Sequence, residues 1–373
     1  MKRALWTVFL TLVLVVGLTV GFTSQAFAAF GHFPHRLTAG AVYTMTNDAA
    51  GNQIVVYDRA ADGTLTMMDS VPTGGTGSGG DFDALVSQGS LILSNNGAWL
   101  LAVNAGSNDI TVFRVKPDGL EATDQESSGG TMPVSLTMSF GRVYVLNAGG
   151  IPNITGFVLG FNGKLNPIPN STRELGSGAY SQIGFNNLGG KLVVTDRADN
   201  ELLVYNMNWF GVPSANPVVT TSSGQTPFGF VFDNLGRMLV VEVNGGNGAV
   251  SSYRVKFDGN LDVITGSEAS GQAAACWIVR DNLGRVYTTN PASSSISYYH
   301  ENFKGEVSLV DATAATGIGG LDAGISNNGQ FLYALDPNSG GVDMYRINFN
   351  GSLTSLGLAP GGLNVYAQGL AVK

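Results

Sequence analysis

The chain has 373 residues, 44% hydrophobic and only 12% charged, which excludes a disordered polyampholyte and leaves enough apolar side chain for a large buried core. Nineteen Lys and Arg stand against 27 Asp and Glu, a net charge of -8, so most of the surface repels phosphate backbones and nucleic acid is not an expected partner. The single cysteine, Cys276, rules out an intrachain disulfide, and stability must come from packing.

Residues 1–28 read as a secretory signal: Lys2 and Arg3 form a short basic start, residues 4–22 run without a charge, and Ala26-Phe27-Ala28 supplies the small-x-small pattern before a cut after Ala28. The location this predicts is secreted, periplasmic or at the cell surface. The apolar run is also long enough to span a bilayer uncleaved, the one case in which a membrane enters the reading. Residues 29–39 follow as an N-terminal arm; His32 and His35 lie there without a third ligand nearby, so neither metal nor cofactor is expected.

From residue 40 onward the sequence repeats. A Gly-containing turn followed by an apolar residue recurs at Gly63, Gly119, Gly163, Gly211, Gly259, Gly305 and Gly351, roughly every 48 residues over six steps. Asp-Gly and Asn-Gly pairs suit the positive φ of tight hairpin turns. A second turn precedes each of the last six, at Gly97, Gly141, Gly189, Gly236, Gly284 and Gly329. Two hairpins per period mean four strands per period. The runs 42–45, 99–103, 142–146 and 331–335 read as buried central strands, and no sustained 3.6-residue rhythm marks a helix. Seven four-stranded units predict an all-β fold, a seven-bladed β-propeller occupying residues 40–373 as one domain. The first unit lacks an innermost strand, and residues 365–373 resemble one, so the C-terminal strand is expected to close the ring. The Gly-rich stretch 74–80 reads as a flexible insertion.

Four segments carry a resemblance: Val71-Pro72-Thr73-Gly74-Gly75, residues 101–107 with 110–115 after them, Pro227-Phe228-Gly229-Phe230, and Ala274-Ala275-Cys276-Trp277. Over about residues 40–373 the chain resembles the lactonase-like seven-bladed propellers, the group of 6-phosphogluconolactonase and carboxymuconate cyclase. That resemblance implies Arg and His on innermost strands where these open into the central channel, with a Glu nearby. Counting back four residues from each turn gives Ser90, Ser135, Gln182, Gly229, Trp277, Asp322 and approximately Gly369. No His or Arg occupies these places.

The ionisable candidates are therefore few. Asp322 is the only acid of the counted ring. Glu242 aligns with a column of Met45, Ala102, Val145, Val194, Thr288 and Ala334, where a carboxylate needs a partner or a raised pKa. These two are the candidate catalytic groups. Asn104, Asn147, Asp196 and Asn290 end second strands and, with Gln182 and Trp277, form the candidate ligand-binding set; strand-end Asn and Asp also bond their own loops. Arg280 is expected to pair structurally, Cys276 to be inert, and Arg173 and Arg197 to lie on outer strands. The sequence thus predicts an exported monomeric propeller that binds a small polar or carbohydrate-like ligand, or a surface partner, in a central funnel. The alternative is a divergent lactone hydrolase or cycloisomerase using Glu242 or Asp322.

Overall fold

The computed structural model describes residues 39–373; the signal and arm expectations, with His32 and His35, lie outside them. The described residues form seven antiparallel sheets, each a blade of four strand positions. Blade 2 illustrates the order: Leu91–Leu93 innermost, then Trp99–Asn104, Asp109–Lys116 and Gly119–Ser127 outermost. Blades 3 to 7 begin at Thr131–Ser139, Tyr180–Phe185, Pro227–Phe232, Trp277–Arg280 and Ala323–Ile325. In blade 3 the outer position is split between Leu165–Pro167 and Arg173–Glu174, both paired with Asn153–Leu159. The only helical turns among the described residues are Asn244–Gly246 and Pro291–Ser293.

Blade 1 is built from both ends of the propeller. Gly40–Met45, Gln53–Arg59 and Leu65–Pro72 supply three strands, and Gln368–Val372 pairs with Gly40–Met45 as the innermost. The expected closure is therefore observed, shorter than residues 365–373 but in the expected blade.

Apolar residues fill the second strands because both faces of each blade are covered by its neighbours: Leu100 to Val103 and Val143 to Leu146 are essentially inaccessible. Outer strands are largely open to solvent, as in Leu65–Pro72, where only Leu65 is buried. Tyrosines from second strands stitch one blade to the next. The hydroxyls of Tyr144, Tyr287 and Tyr333 donate to the carbonyls of Gly211, Gly351 and Gly63, at 2.6, 2.7 and 2.8 Å. The third of these joins blade 7 to blade 1. Gly63 adopts φ +94, and a Cβ there would stand 2.1 Å from the Phe331 ring, so the turn needs glycine for its conformation and for blade contact.

Deleting residues 365–373 removes an inner strand and uncovers faces of blades 2 and 7. The loss should cost on the order of 5 kcal/mol, comparable to a whole domain's stability. Calorimetry should show the truncated protein melting far below the parent or not folding; an unchanged melting temperature would contradict closure.

Candidate functional site

The strand register brings the counted ring together. Ser135 pairs with Leu146, Gln182 with Thr195 and Trp277 with Thr289, and each sits one residue before equivalent pairs such as Leu91 with Ala102. Asp322 immediately precedes the Ala323–Ile325 strand; its carbonyl accepts from Leu335 N, and Leu321 N donates to Leu335 O.

The channel mouth at this end is closed. Residues 83–90, expected to follow a flexible insertion, cross the axis. The backbone N–H of Gln88 donates to Ser181 in blade 4, and the Gln88 side chain both donates to Ile278 O (3.0 Å) and accepts from Ile278 N (3.1 Å) in blade 6. Ser87 donates to Val134 O, and Leu136 N donates to Gly89 O in blade 3. Gly229 makes the crossing possible, because a Cβ there would stand 2.1 Å from Gln88 Oε1. The Gly-rich stretch is itself tied down: Gly77 and Gly79 donate to Asp48 O and Asn47 O, and Gly106 donates to Thr76 O. It is a bonded plug strap, which corrects the flexible reading. The physical reason is that glycines allow main chain to lie against main chain; a Cβ on Gly77 would come within 2.1 Å of the Asn47 carbonyl carbon.

Trp277 is buried under this plug, with Nε1 donating to Ser87 O at 2.9 Å and its ring edge-on to Phe228. It holds the plug and presents no open stacking surface. The strand-end residues likewise face their own loops rather than forming an open rim. Asn104 binds Asp109 and Thr111 through Nδ2 and accepts from Thr73 and Asn52. Asn147 donates to Ser128 O and Asn153, Asn290 donates to Ser295 and Ser297, and Asp196 accepts from the backbone of Ala179 and Ala198. All four are buried.

Glu242 belongs to this same strand-end column. Phe230 pairs with Val240, as Leu91 does with Ala102 and Ile183 with Val194, so the register places Glu242 level with Asn104 and Asp196, two residues from the expected column. Spacing alone misplaces it because blade 5 carries Glu at the level where Asn104, Asn147, Asp196, Asn290 and Asp336 stand, while Asn244 two residues later imitates the motif. Glu242 is fully buried; its Oε1 accepts from Ser222 Oγ, Gly224 N and Ser251 Oγ at 2.7–2.8 Å, and Oε2 has no bonding partner. Glu242→Ala should orphan three donors and destabilise by about 2–4 kcal/mol, whereas Glu242→Gln retains an acceptor and should cost much less; urea titrations of the two variants compare them directly.

Beneath the plug the axis holds a cavity of about 500 Å³. Gln88, Gly89 and Asp322 border its plugged end. Gln182 and the apolar residues Ile92, Met138, Phe185 and Phe232 line its sides, and Asn187 and Arg280 stand where innermost strands end. The cavity therefore opens on the face opposite to the one the sequence suggested. Gln182 spans to the next blade, donating to Phe230 O at 3.0 Å and accepting from Phe230 N at 2.6 Å. A primary amide donates twice and accepts twice, so Gln88 and Gln182 each keep one donor and one lone pair after these bonds. Arg280 is paired as expected, its Nε bonding Glu301 Oε2 at 2.5 Å.

The sequence missed three participants. Asp83 and Gln88 were hidden in a segment with no repeat signal, and Arg197 was assigned to an outer strand. Arg197 instead lies 5.7 Å from the Phe228 ring centroid and close enough to Asp83 and Cys276 to feel both electrostatically. Burial pushes the Asp83 and Asp322 carboxyls up to about 7, and the Cys276 thiol upward as well; Asp83 adds to the rise at Asp322. Gly369 N donates to Asp322 Oδ2 at 2.8 Å, and Gln368 Nε2 donates to Asp83 Oδ1 at 3.3 Å.

An acid whose folded pKa stands above its unfolded value, about 3.9 for Asp, binds its proton more tightly in the native state. Its stabilising contribution is full below the unfolded pKa and is lost as pH rises through about 7. Asp343, pushed up to about 7 by burial, acts in the same direction. The melting temperature should fall between pH 5 and pH 8, and Asp322→Asn should flatten that fall by raising the pH 8 value. An equal pH dependence in variant and parent would contradict the assignment.

Comparison with known proteins agrees with this architecture. Residues 40–149 match the family described as "Lactonase, 7-bladed beta-propeller". No curated protein sequence matches. Among solved structures, a candidate 6-phosphogluconolactonase from Bacteroides fragilis superposes with a TM-score of 0.67 at 17% identity, over 91% of this chain and 100% of that one. A periplasmic gluconolactonase from Pseudomonas aeruginosa gives 0.67 at 14% identity, over 89% and 99%. A protein from Lactobacillus plantarum gives 0.69 at 15%, over 90% and 100%. The chain is a seven-bladed β-propeller whose residues 40–149 are similar to the lactonase propellers. At these identities the likeness to solved structures is one of fold.

Proposed function

We propose that this propeller is an exported binding module that takes a small, uncharged, carbohydrate-like molecule into its axial cavity. The observation that carries the reading is the pairing of two half-used amides, Gln88 and Gln182, with apolar walls at Phe185 and Phe232. Such walls cover the carbon face of a sugar ring while amides bond its hydroxyls. The cation bordering the cavity, Arg280, is already bound to Glu301, which leaves little to recognise a phosphate. Export rests on Lys2, Arg3, the uncharged run and Ala26-Phe27-Ala28.

Calorimetry with a neutral sugar lactone and its phosphorylated form is the test. The neutral compound should bind more tightly, and Gln182→Leu should weaken it about tenfold, equivalent to one lost polar contact of roughly 1.4 kcal/mol. Absence of heat and of thermal stabilisation with neutral lactones and sugars would overturn the reading.

One observation supports the alternative of a divergent lactone hydrolase or cycloisomerase. Asp322 borders the cavity and its carboxyl is poised near neutral pH, as a general acid-base group requires. Glu242 does not border it. Lactone turnover that disappears in Asp322→Asn while binding persists would establish the enzymatic reading.

A further inference from the structure

The face carrying the turns between first and second strands, and between third and fourth, displays an apolar pattern that folding does not require. The outer turns of blades 3 to 7 share one geometry, in which the glycine N–H donates three residues back: Gly163 to Gly160, Gly211 to Asn208, Gly259 to Lys256, Gly305 to Asn302 and Gly351 to Asn348. The second residue of these turns is Phe161, Trp209, Phe257, Phe303 and Phe349, each between 84% and 103% exposed. That position accepts almost any residue and favours proline, so nothing local calls for an aromatic.

Blades 3 to 6 repeat the pattern at their inner turns, where Phe140, Leu188, Leu235 and Leu283 are 69–81% exposed. Blades 2 and 7 place Asn96 and Asn328 in the corresponding turns. Phe140 is also held at φ +49, a left-handed conformation unfavourable for a bulky residue. Four consecutive blades thus expose apolar tips at both turns.

We propose that this face docks on a lipid bilayer, inserting its aromatic and aliphatic tips among the headgroups. Equivalent turns in ring-related blades lie at one level. The tips therefore form a plane of separate points spaced by polar turn residues, which suits a soft interface better than the contiguous apolar core of a protein contact. Lysines flank the rings: Lys191 Nζ, 5.2 Å from the Phe257 ring, donates to the Phe257 carbonyl, and Lys304 Nζ lies 6.0 Å from Phe303, where its flexible stem allows the ammonium to reach phosphate. The chain also arrives on this face: Gly40 pairs with Arg59, which directly precedes the turn at residues 60–63.

The test uses the full chain in phosphatidylcholine vesicles. Because Cys276 is buried, an environment-sensitive fluorophore can be placed on a single introduced cysteine, Phe257→Cys on the turn face or Asp199→Cys on the exposed loop at the other end of the blades. The label at 257 should shift to the blue and be quenched by brominated acyl chains, and the label at 199 should do neither. Adding Phe161→Ser, Phe303→Ser and Phe349→Ser should cut quenching at 257 at least fivefold without lowering the melting temperature. A label at 257 as water-exposed as that at 199 would overturn the proposal. That outcome is expected if the apolar run alone holds the chain, or if the face binds a protein. Quenching unaffected by the three substitutions overturns it equally.

Discussion

Closing seven sheets around an axis leaves the inner edge of every blade without a strand partner, and each unpaired backbone N–H or C=O there must find a bond as it loses water. Side chains meet that requirement in this propeller. Gln182 pairs with both backbone groups of Phe230, and Gln88 does the same at Ile278 from four blades away. Ser135 accepts from Ile183 N, Thr137 from Phe185 N, and Asp322 from Gly369 N. Residue types on the innermost strands therefore follow first from edge satisfaction.

The plug is a consequence of the same constraint. Once residues 83–90 cross the axis, Ser87, Gln88 and Gly89 bond to blades 3, 4 and 6. The crossing also buries Asp83 and Asp322 close enough to feel one another, which raises the Asp322 carboxyl further. One end of the channel is closed, and the remaining space opens among the inner turns. Cavity and exposed aromatic tips consequently belong to one face, and the two proposed functions share an orientation.

Much of the candidate site was legible in the sequence, though not its accessibility. Counting back from the turns identifies Gln182, Trp277 and Asp322 correctly as ring positions, because register is fixed by the hairpins. It does not reveal that Trp277 and the strand-end residues Asn104, Asn147, Asp196 and Asn290 are covered, since burial depends on a segment outside the repeat. Glu242 shows a different failure. Its alignment rested on spacing from a turn, and Asn244 imitated the strand-end residue of the other blades; only the observed pairing of Phe230 with Val240 separates them.

The sequence by itself determined the blade number, the four strands per blade and the closing C-terminal strand. These are local properties, written in turn residues and apolar alternation at a regular period, so each repeat states them independently. Tertiary structure alone decided which mouth of the channel is open, that Arg197 comes within electrostatic reach of Asp83, and that Gln88 spans from blade 2 to blade 6. Those contacts join residues as many as 190 positions apart, and no local pattern encodes them, because they exist only once the ring has closed and brought its inner edges within reach of one another.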